Sequence, residues 1–143
     1  MSLPVLVILV VVGIAAIVLA VHLTGGTRTA VIEDEASAKA RFAVDHPREQ
    51  PAGVRLTLSR DAAFLDLDGG RTGIVRSFGG HFLTRIVGAA DVVRLERAAA
   101  ATLVIVPRDF TWRGGRFDFA SVADADAVAA RLTAAASERS RRA

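Results

Sequence analysis

The feature that most constrains this chain is the apolar segment from Leu3 to Leu23. No Asp, Glu, Lys or Arg interrupts it, and residues 5–12 are all valine, leucine or isoleucine. At about 1.5 Å per residue, a helix over this segment measures about 30 Å, the thickness of the hydrocarbon core of a bilayer. Pro4 lies in the predicted first turn, where its missing N–H removes no helical hydrogen bond. Residues 1–24 are therefore predicted to form one transmembrane anchor.

A cleaved signal peptide is the alternative explanation for such a segment. A signal peptide begins with a basic region and ends at a cleavage site of small residues. Residues 1–4 carry no basic side chain, and the sequence Leu19-Ala-Val-His22 is a poor cleavage site. We therefore expect a retained anchor.

The distribution of basic residues predicts the side of the membrane on which the remainder lies. No lysine or arginine precedes the span, whereas Arg28, Lys39 and Arg41 follow it within about 20 residues. Lys39 is the only lysine, and the abundance of Ala, Val and Arg is typical of a GC-rich bacterial genome. The positive-inside rule then places the domain in the cytoplasm, held by a single pass through a bacterial inner (cell) membrane.

After the span, residues 25–53 are predicted to form a juxtamembrane helix and a linker. The helix runs from Glu33 to Val44 and is stopped by Pro47. From Val54 the apolar residues alternate with period two, which is typical of half-buried strands. The predicted strands are 54–59, 63–68, 73–78, 82–87, 91–96, 102–106 and a last hairpin of 110–112 with 117–119. The Gly-Gly pairs at 69–70, 79–80 and 114–115 are predicted to form turns between these strands.

The C-terminal part is predicted to be helical. Ser121 is the expected N-cap of a helix from Val122 to Ala136, and residues 137–143 form a polar, basic tail. The fold class is therefore α+β: a transmembrane helix, a juxtamembrane helix, a small antiparallel barrel or sheet of about seven strands, and a C-terminal helix.

The β-rich region, residues 54–136, resembles a bacterial pleckstrin-homology-like (PH-like) domain. The similarity rests on the strand 91–95, the apolar segment 103–106, and the strand 117–119 that leads into an Ala-rich helix. The resemblance implies a meander of seven strands whose C-terminal helix plugs one open end of a barrel. A simple antiparallel sheet with one packed helix remains the alternative.

The whole chain is also similar to single-span membrane proteins of unknown function from alphaproteobacteria. That similarity rests on four short patterns: Leu23-Thr-Gly-Gly26, Arg41-Phe42 with Asp45 to Pro47, Gly73-Ile-Val75, and Asp109-Phe110. None of these patterns carries chemistry. The resemblance therefore implies a fold and no catalytic residue.

The residues that usually carry chemistry are scarce or isolated. Cysteine is absent, which excludes disulfides, thiolate metal sites and cysteine nucleophiles. The three histidines, His22, His46 and His81, are far apart in sequence, so we expect no metal and no cofactor. Asp66 and Asp68 have the spacing of an acid–base pair, but a solvated strand face shows the same spacing, and we expect no catalytic residue.

The aromatic and basic residues of the predicted last hairpin form the candidate contact surface. Phe110, Trp112, Arg113 and Arg116 are the predicted partner- or lipid-contacting residues, although core packing would also explain the aromatic ones. Alternation would place Phe110 and Trp112 on one face. Asp109 is expected to cap backbone N–H groups at the start of the hairpin.

A second candidate surface is the basic C-terminus, where the predicted membrane-surface contacts are Arg139, Arg141 and Arg142. Arginines outside the hairpin and the tail are not gathered on one element, so we expect no nucleic-acid binding.

These observations favour a non-enzymatic binding or adaptor module, anchored by one span, whose partner is another membrane protein. The alternative is an accessory subunit held in an inner-membrane complex through its span, where Gly13, Ala16 and Ala20 form a stripe of small residues. An enzyme is the least favoured interpretation, because no acid, base or nucleophile lies in a recognisable context. The sequence leaves the oligomeric state open.

Overall fold

A computed structural model describes residues 2–24, 29–112 and 114–142, with side chains of the last helix as far as Thr133. In these residues three α-helices and seven strands follow one another in an α+β arrangement, which confirms the predicted class. The helices are α1 (Leu3–Leu23), α2 (Glu35–Asp45) and α3 (Val122–Arg142). The strands are β1 (Gly53–Leu56), β2 (Ala62–Asp66), β3 (Thr72–Phe78), β4 (His81–Val87), β5 (Val92–Ala99), β6 (Thr102–Pro107) and β7 (Gly115–Asp118).

Helix α1 has the bounds that its composition predicts. It contains 21 residues with a mean hydropathy of 3.2, and none of them is buried. Within the described ranges it is the one helix that is long and apolar enough to cross a membrane. A signal sequence near the N-terminus passes the same test of length and hydropathy.

The segment between α1 and α2 is attached to the strands. The N–H of Ala30 donates to the carbonyl of Gly79 at 2.7 Å, and the N–H of Ile32 donates to the carbonyl of Arg60 at 2.8 Å. The side chain of Ile32 is buried. The chain is therefore fixed to the domain within a few residues of the end of α1.

Helix α2 packs on the domain and is not a free linker element. Its N-cap is Asp34, whose Oδ1 accepts the N–H of Ser37 at 2.7 Å. The ring of Phe42 lies so close to Gly73 of β3 that a Cβ there would come within 2.7 Å of the ring. Because glycine has no side chain, α2 can approach the sheet at this point.

The seven strands form two antiparallel sheets. The first contains β1-β2-β3-β4 and the second contains β5-β6-β7. A single bridge, Thr57 to Phe119, joins the end of β1 to the end of β7. In the described residues β4 and β5 do not pair with each other, so the sheets do not close into a barrel.

The first sheet is buried on both faces, because successive side chains of a strand point to opposite sides. One face packs against α2 through Phe42, Ala63, Leu65 and Val75. The other packs against the second sheet and α3. That second core contains Phe64, Ile74, Leu103, Ile105, Phe117, Phe119, Ala125, Val128 and Leu132.

The prediction of the last hairpin is wrong for its first arm, residues 110–112. Residues 110–112 form a turn, and β7 pairs instead with β6, with Leu103 opposite Phe117. The Oδ1 atom of Asp109 accepts the N–H of Thr111 at 2.8 Å, and the carbonyl of Asp109 accepts the N–H of Trp112 at 3.3 Å. These local hydrogen bonds compete with a strand ladder and bend the chain. The inferred alternation of Phe110 and Trp112 therefore does not apply.

Helix α3 begins where the sequence predicts and ends later. The Oγ of Ser121 accepts the N–H of Asp124 at 3.2 Å, which confirms the N-cap. The helix continues to Arg142, beyond the predicted end at Ala136, because no glycine or proline stops it. Arg131 of this helix lies 3.1 Å from Asp66 and joins α3 to the first sheet.

Candidate functional site

A cleft lies between the β3–β4 hairpin and the loop that leads to β7. Its volume is about 380 Å³, which is in the range of ligand sites in proteins. We call it the hairpin cleft. The side chains that the argument uses are Ile74, Arg76, Phe78, Leu83, Arg85 and Trp112.

The register of the hairpin explains why these side chains meet. A two-residue turn at Gly79-Gly80 pairs Arg76 with Leu83 and Ile74 with Arg85. These residues lie on the face that the second sheet covers further along the strands. Near the Gly79-Gly80 turn the second sheet no longer covers this face, and Phe78 and Leu83 are 71% and 58% exposed. The cleft is therefore the uncovered end of the inter-sheet face.

Arg76 is a half-buried cation that lines this cleft. Its Nη1 donates to the carbonyl of Gly114, and its guanidinium lies 5.1 Å from the centre of the Phe117 ring. Among the described side chains, no carboxylate lies within ion-pair distance of Arg76. Its charge is therefore stabilised by an aromatic ring, a carbonyl dipole and the electrostatic attraction of Asp61, which makes no direct ion pair with it.

Arg85 of β4 holds the loop between β6 and β7 against this strand. Its guanidinium donates to the Asp109 carboxylate and, at 2.9 Å, to the hydroxyl of Thr111. The backbone N–H and hydroxyl of Thr111, followed by Arg85, lower the pKa of Asp109 below its usual value. The expected structural role of Asp109 at backbone N–H groups is confirmed.

Trp112 forms one wall of the hairpin cleft. It is half-buried and packs against the inter-sheet core. A second cavity of about 360 Å³ also reaches Trp112 and is lined in addition by Asp91 and Arg108. The indole therefore lies between a packed interior and two open depressions, as an interface aromatic residue often does.

The structure separates the predicted contact residues. Trp112 lies in the cleft, but Phe110 is completely exposed and does not line it. Arg116 lies on the outer face of β7, because the next residue, Phe117, points inward. The guanidinium of Arg116 is 3.5 Å from the carboxylate of Asp118. Arg113 lies outside the described residues, and so do the side chains of Arg139, Arg141 and Arg142.

The carboxylate pair considered from the sequence does not form an acid–base site. Asp66 lies 2.5 Å from Arg55 and 3.1 Å from Arg131, whereas Asp68 belongs to a turn after the strand. No three His, Asp or Glu side chains in the described ranges are grouped to hold a metal ion. The described lining of the cleft contains arginines and no carboxylate or histidine. The lining therefore combines apolar side chains with two guanidinium groups.

Sequence reasoning missed four of the residues that line the cleft: Arg76, Phe78, Leu83 and Arg85. The signal was present. A two-residue Gly-Gly turn fixes the register of a hairpin, and alternation then places both arginines on an otherwise apolar inward face. An arginine on such a face is a marker of an opening in the core or of a binding site.

Comparison with known proteins finds no matching family model, no similar curated protein and no similar solved structure. The role of the hairpin cleft is therefore inferred from its geometry and chemistry alone.

Proposed function

We propose that this chain is a single-pass protein of a bacterial inner membrane whose cytoplasmic domain is a non-enzymatic binding module for a partner protein. The hairpin cleft is the observation that carries the proposal. Exposed Phe78 and Leu83 border a concave site next to Trp112 and two arginines. Tryptophan and arginine are the residues most enriched at the energetic centres of protein interfaces, and exposed apolar side chains gathered at a cleft favour an interaction site.

We further propose that the domain is PH-like. The support is the order of its elements: four consecutive strands in one sheet, three in the next, and a helix directly after the last strand. Helix α3 packs into the inter-sheet core through Ala125, Val128 and Leu132. The resemblance implies a helix that plugs one end of a barrel; here the sheets do not close, and the helix packs against the core between them.

The membrane part of the proposal rests on α1 and on the basic residues that follow it. A helix of 21 apolar residues matches the bilayer core. The absence of Lys and Arg before it, and the presence of Arg28, Lys39 and Arg41 after it, favour a cytoplasmic domain.

The cleft supports binding more than catalysis. A catalytic site needs an acid, a base or a nucleophile within reach of a bound substrate. The described lining of the cleft holds no carboxylate, and Asp66 and Asp109 are both held by arginines. Activity of the purified chain that is abolished by substituting Asp66 or Asp109 would contradict a purely binding role.

The test compares two exposed leucines in the full-length protein in its own membrane. Leu83 lines the cleft and is 58% exposed, whereas Leu58 lies in the turn after β1 and is 67% exposed. Proteins that co-purify after crosslinking in cells are quantified for the wild type, Leu83→Asp and Leu58→Asp. We expect Leu83→Asp to reduce recovery of the partner by about tenfold or more, as loss of an interface centre does. Equal recovery from all three proteins contradicts the proposal.

The accessory-subunit alternative has one observation in its favour. No residue of α1 is buried, so every face of the helix, including Gly13, Ala16 and Ala20, is available to a neighbouring span. Replacing residues 3–23 with an unrelated apolar helix separates the two functions. Retained capture of the partner favours the cleft, and lost capture favours the span.

A further inference from the structure

We propose that the hairpin cleft selects a partner segment in which a carboxylate lies next to an apolar side chain, and that Arg76 binds this carboxylate. The inference rests on the proposed function, because it names the chemistry that the partner presents to the same cleft.

Arg76 has unused binding capacity. A guanidinium carries five N–H donors in a planar fork. In the described structure its hydrogen bond goes to the carbonyl of Gly114. A half-buried cation without a directly paired carboxylate is costly, and a carboxylate can accept two parallel N–H bonds from it. A ligand that supplies the carboxylate therefore completes an arrangement that the fold leaves incomplete.

Charge favours a carboxylate over a phosphate. Arg85 is already paired with Asp109, so Arg76 is the one cation among the described lining residues without a direct ion pair, although Asp61 offsets part of its charge from a distance. A phosphate carries a charge near −2 at neutral pH and is usually bound by several donors at once. Here it would find one free guanidinium and would lie near the Asp109 carboxylate. A singly charged carboxylate matches the single free cation.

The rest of the cleft wall is apolar. Ile74, Phe78, Leu83 and Trp112 line it together with the two arginines. An apolar side chain next to the carboxylate would cover Phe78 and Leu83, which are otherwise exposed to water. An acidic residue beside a leucine-like residue, or a C-terminal apolar residue, has both groups.

The experiment uses Trp112, which is the only tryptophan of the chain. Its fluorescence is followed in the full-length protein in detergent micelles. The probes are N-acetyl-leucine, the uncharged N-acetyl-leucinamide and inorganic phosphate at matched ionic strength. We expect the acid to change the emission of Trp112 saturably, and to bind at least about tenfold more tightly than the amide and than phosphate. This comparison needs no variant.

Three variants assign the preference to Arg76. Arg76→Gln is expected to bind the acid and the amide equally. Arg76→Lys keeps the charge and should keep a reduced preference for the acid. Arg116→Gln, on the outer face of β7, is the matched control and should behave as the wild type. Equal binding of acid and amide by the wild type, an unchanged preference in Arg76→Gln, phosphate binding as tight as the acid, or no saturable change at all would each overturn the inference.

Partner capture distinguishes failure of this inference from failure of the proposed function. If Leu83→Asp loses the partner and Arg76→Gln retains it fully, the cleft binds the partner without a carboxylate. If both variants retain the partner, the cleft is not the binding site and the proposed function fails.

Discussion

At the scale of single residues, Gly114 occupies a position in the loop before β7 that only glycine fits. Its φ is +65°, which L-residues rarely adopt. A Cβ there would lie 2.2 Å from the carbonyl oxygen of Ile105 and 2.5 Å from Cδ of Pro107. The carbonyl of Gly114 also accepts the bond from Arg76. One glycine therefore allows the loop to lie against β6 and positions the free guanidinium of the cleft.

Gly114→Ala is expected to destabilise the domain by at least about 2 kcal/mol, because the positive φ and the backbone contact both penalise a Cβ. Urea unfolding of the full-length chain, followed by Trp112 fluorescence, measures the change. Gly80→Ala is the control: its φ is not positive and a Cβ there would have no neighbour within 4 Å. A control variant as unstable as Gly114→Ala would contradict this account.

The Arg85–Asp109 pair predicts a pH dependence. Because the folded state lowers the pKa of Asp109, the ionised carboxylate stabilises the fold above its unfolded pKa of about 3.9, and this contribution is lost as the pH falls through the lower folded value. Asp109→Asn keeps an oxygen for the N–H of Thr111 but removes the charge.

The urea midpoint of Asp109→Asn should therefore lie below that of the wild type near neutral pH. The difference should be constant above about pH 5 and should shrink below about pH 4. A difference that persists unchanged at lower pH would show that the charge of Asp109 has no part in holding the loop.

At the scale of elements, Phe42 makes the largest apolar contact of α2 with the first sheet, and Arg41 and Asp45 add hydrogen bonds to Phe82 and Thr84. Phe42 is completely buried against Gly73, whereas Val44 on the same helix is 70% exposed. We expect Phe42→Ala to cost about 3–5 kcal/mol and Val44→Ala less than about 0.5 kcal/mol. Urea unfolding followed by circular dichroism measures both. Similar losses in the two variants would mean that α2 is not anchored through Phe42.

Some of these elements can be predicted from the sequence and others cannot. Alternation placed β3 and β4, and the pair Gly79-Gly80 set their register, because both signals are local. The turn at 109–112 was missed because the Asp109 side chain satisfies a backbone N–H that a strand would have used. Alternation could have placed Arg76 and Arg85 on the inward face, but the position of the cleft could not be predicted. Its opening depends on where the second sheet stops covering the first, which is set by long-range packing between strands far apart in sequence.

At the scale of the whole molecule, the sidedness of the domain can be measured because the chain has no cysteine. Ser2→Cys and Ala100→Cys each introduce one exposed thiol, and the two positions flank the span. With the domain in the cytoplasm, a thiol reagent that does not cross the inner membrane should label Ser2→Cys in intact cells, and Ala100→Cys only after lysis. The reverse pattern would place the domain outside the cytoplasm. Labelling of Ala100→Cys alone, in a soluble fraction, would indicate a cleaved leader.

The backbone hydrogen bond between Ala30 and Gly79 limits how far the cleft can move from the end of α1. The chain from Leu23 to Ala30 can extend at most about 25 Å, and Gly79 directly follows Phe78 at the border of the cleft. In a retained anchor, the cleft would search a thin layer along the bilayer and meet membrane-held partners at an effective concentration on the order of millimolar. Affinity that is negligible in dilute solution would then be sufficient, and the same domain released from its anchor would lose most of its occupancy without losing a single contact.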